Sequence, residues 1–211
     1  MREILIATGN PDKAREIEQI LSVADNGTPL PVRWRRLAEF GPIDEPCEDG
    51  DTFRANAEWK ARYYAEKTGL WTLADDSGLE VDALAGEPGV RSARYAGPQA
   101  SYADNNALLV ARLAGVPEKA RTARYRCVAV LSDGQRILAS AEGSVEGRIV
   151  DAPRGRGGFG YDPHFYVDDR AMTMAEMTPT QKHAISHRGR AVRALRADLV
   201  RLLDEPAHRQ R

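Results

Sequence analysis

The chain is poor in several things that would set its class apart. Cysteine is scarce, with only Cys47 and Cys127 among 211 residues. Two such thiols make neither a paired metal motif nor a disulfide framework, which points to a reducing compartment. No apolar stretch is long enough to span a bilayer. The opening Met1-Arg2-Glu3-Ile4-Leu5-Ile6 is too short for the apolar core of a signal peptide and runs straight into a strand pattern. The expectation is a soluble, cytoplasmic protein. An excess of one charge is missing too: Lys+Arg 30 against Asp+Glu 31 gives a formal net charge of -1. No global field draws the chain to nucleic acid or to a membrane, so any basic site must be local. No internal repeat, low-complexity segment or linker breaks the sequence. Its length suits one large α/β domain, or a core with a smaller lobe, and allows a sizeable core.

What is present gathers around Leu73-Ala74-Asp75-Asp76-Ser77-Gly78-Leu79-Glu80. The apolar run from Leu70 to Ala74 reads as a buried strand. Asp75 and Asp76 then stand at its expected end, where Ser77-Gly78 turns the chain. Adjacent carboxylates at a buried strand end repel each other and lose hydration, a cost that a cation or hydrogen-bond donors must offset. Hard divalent cations such as Mg²⁺ prefer such oxygen ligands. Turn chemistry alone also explains Asp-Ser-Gly.

Upstream, Glu3 to Ala7 is a short apolar strand, followed by Thr8-Gly9-Asn10-Pro11-Asp12-Lys13. Asn10 suits an N-cap and Pro11 a first helical position. Ala14, Ile17, Ile20 and Leu21 recur at helical spacing. Free backbone N–H groups and the positive end of the helix dipole favour an anion there. Lys13 opposes that dipole, and a bound phosphate explains its presence as well as plain exposure does. The Walker signature is absent. Val32 to Leu37 alternates like a partly exposed strand. The acidic loop from Ile43 to Gly50 precedes a helix capped by Asp51 or Thr52, striped by Phe53, Ala57, Ala61, Tyr64 and Ala65, and ended by Gly69. That helix leads to the acid pair, so the acidic loop can reach the same place, although a solvated loop is the plainer reading of its charges.

Val81 to Gly97 reads as an ordered loop. Ser101 to Asp104 resembles a capping box for a helix ending near Gly115, which is expected to form a small lobe with the helix before Gly69. Thr122 to Leu131 and Arg136 to Ala141 flank the hairpin signal Asp133-Gly134, and Val145 to Val150 extends them. Between Arg154 and Pro163 the glycines let backbone approach a ligand closely, and Phe159 and Tyr161 offer aromatic faces for a base. A hairpin loop with its aromatics tucked into the core is the plainer alternative. Phe165 to Val167 is one more strand. The end carries Lys182, then Ser186 as N-cap, with His187 and Arg188 at the start of a last helix whose apolar face is Val192, Leu195, Leu199, Leu202 and Leu203.

Lysines with a helix N-terminus for phosphates, carboxylates for Mg²⁺ and an aromatic for a base together suit a nucleoside triphosphate. No nucleophilic triad is available: Ser186 merely adjoins His187. Five motifs occur in order: Thr8-Gly9-Asn10-Pro11-Asp12-Lys13, Asp75-Asp76-Ser77-Gly78-Leu79, Ser92-Ala93-Arg94-Tyr95, Phe159-Gly160-Tyr161-Asp162-Pro163 and Ser186-His187-Arg188-Gly189. In this order they resemble the inosine/xanthosine triphosphate pyrophosphatase family, from the first strand to the last helix.

That resemblance implies a homodimeric α/β protein built on a long mixed β-sheet flanked by helices, one domain over 1–211 with two lobes and a cleft between them. It implies Mg²⁺-dependent hydrolysis of (d)ITP and XTP to the monophosphate and pyrophosphate. By motif, Thr8, Gly9, Asn10, Pro11, Asp12 and Lys13 would hold the phosphates. Asp76 would be the general base, with Asp75 beside it in the metal-water network. Ser77 would contact the substrate. Phe159 would stack on the purine, Gly160, Tyr161 and Asp162 would shape its pocket, Lys182 would bridge phosphate and base, and His187 and Arg188 would read the base edge. One departure stands out. Relatives often carry two adjacent glutamates where this chain has Cys47 and Glu48, so Glu48, or else Glu45, would be the loop's metal carboxylate. Competing readings are a Maf-like pyrophosphatase of other specificity, a non-catalytic nucleotide-binding module, and, poorly supported by the near-neutral charge, a nucleic-acid-binding protein.

Overall fold

The computed structural model describes residues 1–22 and 27–204. Among these residues, seven strands form one mixed sheet in the order β2-β1-β3-β4-β5-β6-β7. They are β1 (Arg2–Ile6), β2 (Val32–Arg36), β3 (Trp71–Val81), β4 (Thr122–Ser132), β5 (Ile137–Ile149), β6 (Phe165–Val167) and β7 (Met172–Thr173). β1 runs parallel to both β2 and β3, while β6 is antiparallel to β5 and β7. The helices are α1 (Pro11–Leu21), α2 (Phe53–Thr68), α3 (Tyr102–Arg112), α4 (Pro179–Ile185) and α5 (His187–Asp204). Among the described residues, no helix is long and apolar enough to cross a membrane.

Local signals explain most of these elements. Asn10 caps α1, its Oδ1 accepting from the amides of Asp12 (2.9 Å) and Lys13 (3.2 Å). Thr52 caps α2 by accepting from the Ala55 amide at 3.1 Å, and Gly69 closes that helix in the left-handed region at φ 68°. Ser101 and Asp104 form a reciprocal capping box on α3. Asp133 turns the β4–β5 hairpin, accepting from the amides of Gln135 and Arg136 at 3.0 and 2.9 Å.

Two expectations are corrected and one element is added. First, the acid pair does not end a strand. β3 continues through Asp75, Asp76, Ser77 and Gly78 as far as Val81. Turn chemistry acts where backbone is exposed, and this segment is buried almost throughout. What ends there is the neighbour: β1–β3 pairing stops at Ile6↔Leu73, so the aspartates lie just beyond the C-terminal end of β1. Second, Thr178-Pro179-Thr180-Gln181 opens the short helix α4, capped by Thr178 with Gln181 as the reciprocal partner. Third, α2 and α3 do not share a lobe. The described residues divide into two compact units: 1–22, 27–76, 128–142 and 189–204, and 77–127 and 143–188. α2 belongs to the first and α3 to the second. α3 buries Leu109 into a core with Leu79, Val81, Tyr125, Val145, Ile149, Tyr161 and Phe165, all of the second unit.

Candidate active site

In the first unit the chemistry converges on Asp75 and Asp76. Consecutive strand residues face opposite ways, and the two carboxylates have different partners. The Asp75 carboxylate, fully buried, meets Lys13 Nζ from α1 at 3.6 Å. The Asp76 carboxylate accepts from Asn56 Nδ2 of α2 at 3.0 Å. Lys60, one turn further along α2, donates to the Asp75 carbonyl at 3.2 Å and pairs with Glu48. Through Glu48 and Lys60 the acidic loop thus reaches the acid pair, the less ordinary of the two placements its position in the sequence allowed.

Asn56 and Lys60 escaped the sequence reading. Their signal was present: with Phe53, Ala57, Ala61, Tyr64 and Ala65 they form the buried stripe of α2. Polar residues at i and i+4 within an apolar stripe bury only where partners await them.

Electrostatics follows from this packing. Burial pushes the Asp76 carboxyl above its ordinary value of 3.8, against the opposing pull of Lys13, Lys60 and the Asn56 amide. Lys60 loses hydration too, yet Glu48, Asp76 and Asp75 together hold its ammonium above the usual 10.5. A carboxyl raised in this way is moved toward the pH range where a general base works best.

The start of α1 differs from expectation in one respect. Its first-turn amides are already used: Pro11 has none, Asp12 and Lys13 donate to Asn10 Oδ1, and Ala14 donates to the Asn10 carbonyl. Thr8 Oγ1 in turn accepts from the Asn10 amide at 3.1 Å. The attraction for an anion therefore rests on Lys13 and the helix dipole rather than on free N–H groups. Asp12 pairs with Arg15 on the helix surface and does not join the cluster. Gly9 leaves open space, with only Glu45 Oε1 at 4.0 Å from where a Cβ would stand.

Among the described residues, no three or more His, Cys, Asp or Glu side chains are gathered to hold a metal ion unaided. Mg²⁺ commonly takes only one or two carboxylates and completes its shell with water and substrate phosphate. The donor set here suits that mode: Asp76 is a desolvated carboxyl whose ionised form a cation would favour, with Asp75 and Glu48 nearby.

The second unit holds a different chemistry. Asp162, 3% exposed, accepts from Lys182 Nζ at 2.7 Å and from the Phe159 amide at 2.8 Å. Lys182 Nζ lies 4.5 Å from the Phe159 ring centroid, and the Arg188 guanidinium carbon lies 5.6 Å from it. Arg188, the largest fully buried side chain, donates from Nη2 to Ser77 Oγ at 2.9 Å. The Gly160 carbonyl accepts from Asn106 of α3 at 2.9 Å. Phe159 is only partly buried and also neighbours the exposed Tyr102, ring centroids 6.2 Å apart. Tyr161 differs from expectation: it offers no face to a ligand. It is 4% exposed and its hydroxyl donates to the Ser92 carbonyl at 2.8 Å, so it supports the loop from the core. His187 is buried, its ring stacked on Tyr125 at 4.6 Å and 11°.

Residues 4–198 match the Ham1 family. The chain belongs to the Ham1 family. Among curated relatives, a dITP/XTP pyrophosphatase of Geobacter sulfurreducens is 48% identical over 94% of this chain and 97% of its own length. One of the same name from Thermus thermophilus is 48% identical over 92% of this chain and 89% of its own. A solved HAM1 protein from Coxiella burnetii superposes with a TM-score of 0.84 at 39% identity, covering 95% of this chain and all of that one. A dITP/XTP pyrophosphatase structure from Mycobacterium abscessus gives 0.71 at 38% identity, covering 96% and 100%.

Proposed function

We propose that this Ham1-family protein hydrolyses non-standard purine nucleoside triphosphates, dITP, ITP and XTP, to the monophosphate and pyrophosphate. Near-half identity over almost the whole length to relatives named for that activity supports the reading. The observation that carries its chemistry is the buried Asp76 carboxyl flanked by two lysines.

In this reading Asp76 orients and deprotonates the water that attacks the α-phosphorus. Lys13 and Lys60 neutralise charge on the phosphates and the departing pyrophosphate. When bound, Mg²⁺ supplies Lewis-acid polarisation of the phosphoryl oxygens, held through Asp76 with Glu48 or Asp75. Asp75 keeps Lys13 in place, and Asn56 fixes the Asp76 carboxylate, so both act by orientation. Thr8 and Asn10 secure the turn that presents Lys13.

The second unit's groups suit the base. Phe159 stacks on the purine while Lys182 and Arg188 donate to its edge. Inosine and xanthine present an acceptor at the 6-position, whereas adenine presents a donor. Facing Arg188 with a donor leaves buried groups unpaired, at about 1–3 kcal/mol each. The family reading also brings with it a cytoplasmic location and a homodimer, and light scattering on the purified chain would check the second.

The test is product identity. ITP should yield IMP and pyrophosphate in equal amounts. IDP and inorganic phosphate would place the cut at the γ-phosphorus and overturn the roles given to Asp76 and Lys60.

A further inference from the structure

We infer that Tyr125 is a positioning residue for base recognition, setting the plane of His187 and the carboxylate of Asp162. The inference rests on the purine-recognition reading of the second unit and adds a residue that no motif of the sequence marks. Tyr125 lies on β4 and is 7% exposed. One ring contact is the near-parallel stack on His187, with centroids 4.6 Å apart. Another is the tilted contact with Phe165, also at 4.6 Å, which fixes the tyrosine in the core. Its hydroxyl donates to the Asp162 carboxylate and accepts from the Tyr161 amide. Burial pushes that hydroxyl well above the usual tyrosine range, so it remains a donor.

The consequence lies in what Asp162 holds. The same carboxylate accepts from Lys182 Nζ and from the Phe159 amide. A single buried side chain thereby orients the imidazole directly, and orients the lysine and the stacking aromatic through one carboxylate. The phenol supplies two separable functions. Its ring face serves His187, and its hydroxyl serves Asp162. Tyr125→Phe removes only the second, and Tyr125→Leu removes both.

Two measurements on the full chain test this: steady-state kinetics with ITP and ATP, and calorimetric binding of IMP. Tyr125→Phe should raise KM for ITP several-fold with kcat falling less than two-fold. Tyr125→Leu should raise KM at least ten-fold, weaken IMP binding in proportion and narrow the ITP-to-ATP preference in kcat/KM. A purely structural tyrosine would instead lower the melting temperature and the active fraction while leaving KM, IMP affinity and base preference as in wild type. That pattern would overturn the inference, as would a Leu variant equal to wild type in all three. If wild type fails to turn over ITP yet binds IMP, the catalytic reading falls and IMP binding still decides for or against Tyr125. Wild type that binds no IMP overturns both.

Discussion

At Asp76, burial raises the carboxyl pKa while Lys13, Lys60 and the Asn56 amide draw it down, and burial wins. The folded protein therefore keeps this proton at pH values where the unfolded chain, titrating near 3.8, has lost it. Stability contributed by the group is fully present below that value and is lost as pH rises through the native pKa. Asparagine cannot ionise. Asp76→Asn should abolish pyrophosphate release and at pH 7 melt above wild type, with the gap closing as pH falls toward 3.8. Parallel melting curves across pH check this, and a lower melting temperature at pH 7 would contradict it. Lys60 makes the complementary case. Lys60→Ala removes a desolvated cation beside the acid pair and should lower kcat/KM on the order of 10²-fold. In the sequence Asp75, Asp76 and Lys13 were legible because their types conflict with their local setting. Asn56 and Lys60 carried a weaker signal: they fall within the apolar stripe of α2, but polar residues on a long helix usually face water. Tyr161 misled for the opposite reason: an aromatic in a glycine loop fits a base face and a core equally well.

The elements show where local rules hold and where tertiary packing overrides them. Caps on α1, α2 and α3 followed from single residues, as did the β4–β5 hairpin. Asn10→Ala should cost about 1 kcal/mol of stability through loss of the α1 cap, read as a drop in chemical-denaturation midpoint. The glycine-rich stretch is built the same way. Gly155 (φ 82°) and Gly158 (φ 70°) occupy the left-handed region. A Cβ at Gly155 would collide with the Ala175 backbone, and one at Gly158 with the Asp162 carboxylate. Gly158→Ala should therefore disturb the Asp162–Lys182 pair as well as strain the backbone. It should raise KM for ITP more than Gly160→Ala, where the same φ sign applies but open space surrounds the Cβ. Equal effects of the two would show that strain alone decides. β3 went astray in the sequence because Asp-Ser-Gly carries turn chemistry, while sheet burial and the Leu79 amide bond to Ser92 Oγ (2.8 Å) keep the strand extended. β7, two residues long, left no periodicity to read.

For the whole molecule, the fold class and the order of the five motifs were legible, and the mixed seven-stranded sheet agrees with both. The resemblance implied two lobes, but where the chain divides was not legible, because β3, β4 and β5 each pass from one unit to the other and no linker marks the change. The first unit collects carboxylates and lysines; the second collects the aromatic, Lys182, His187 and Arg188. Labour divided in this way makes a separable prediction. Lys13→Met should weaken inhibition by pyrophosphate and spare inhibition by inosine, and Arg188→Met should do the reverse. Inhibition constants for the two compounds decide it, and parallel losses in both variants would contradict the division. The most direct test is initial-rate pyrophosphate release, with Mg²⁺, from ITP, XTP, GTP and ATP by wild type and by Asp76→Asn. Fast release is expected from ITP and XTP, little from ATP, whose 6-amino donor would face Arg188, and no release from any nucleotide in the variant. Equal rates on the four nucleotides would contradict base selection by Arg188, and release that persists in Asp76→Asn would contradict the central role given to that carboxylate.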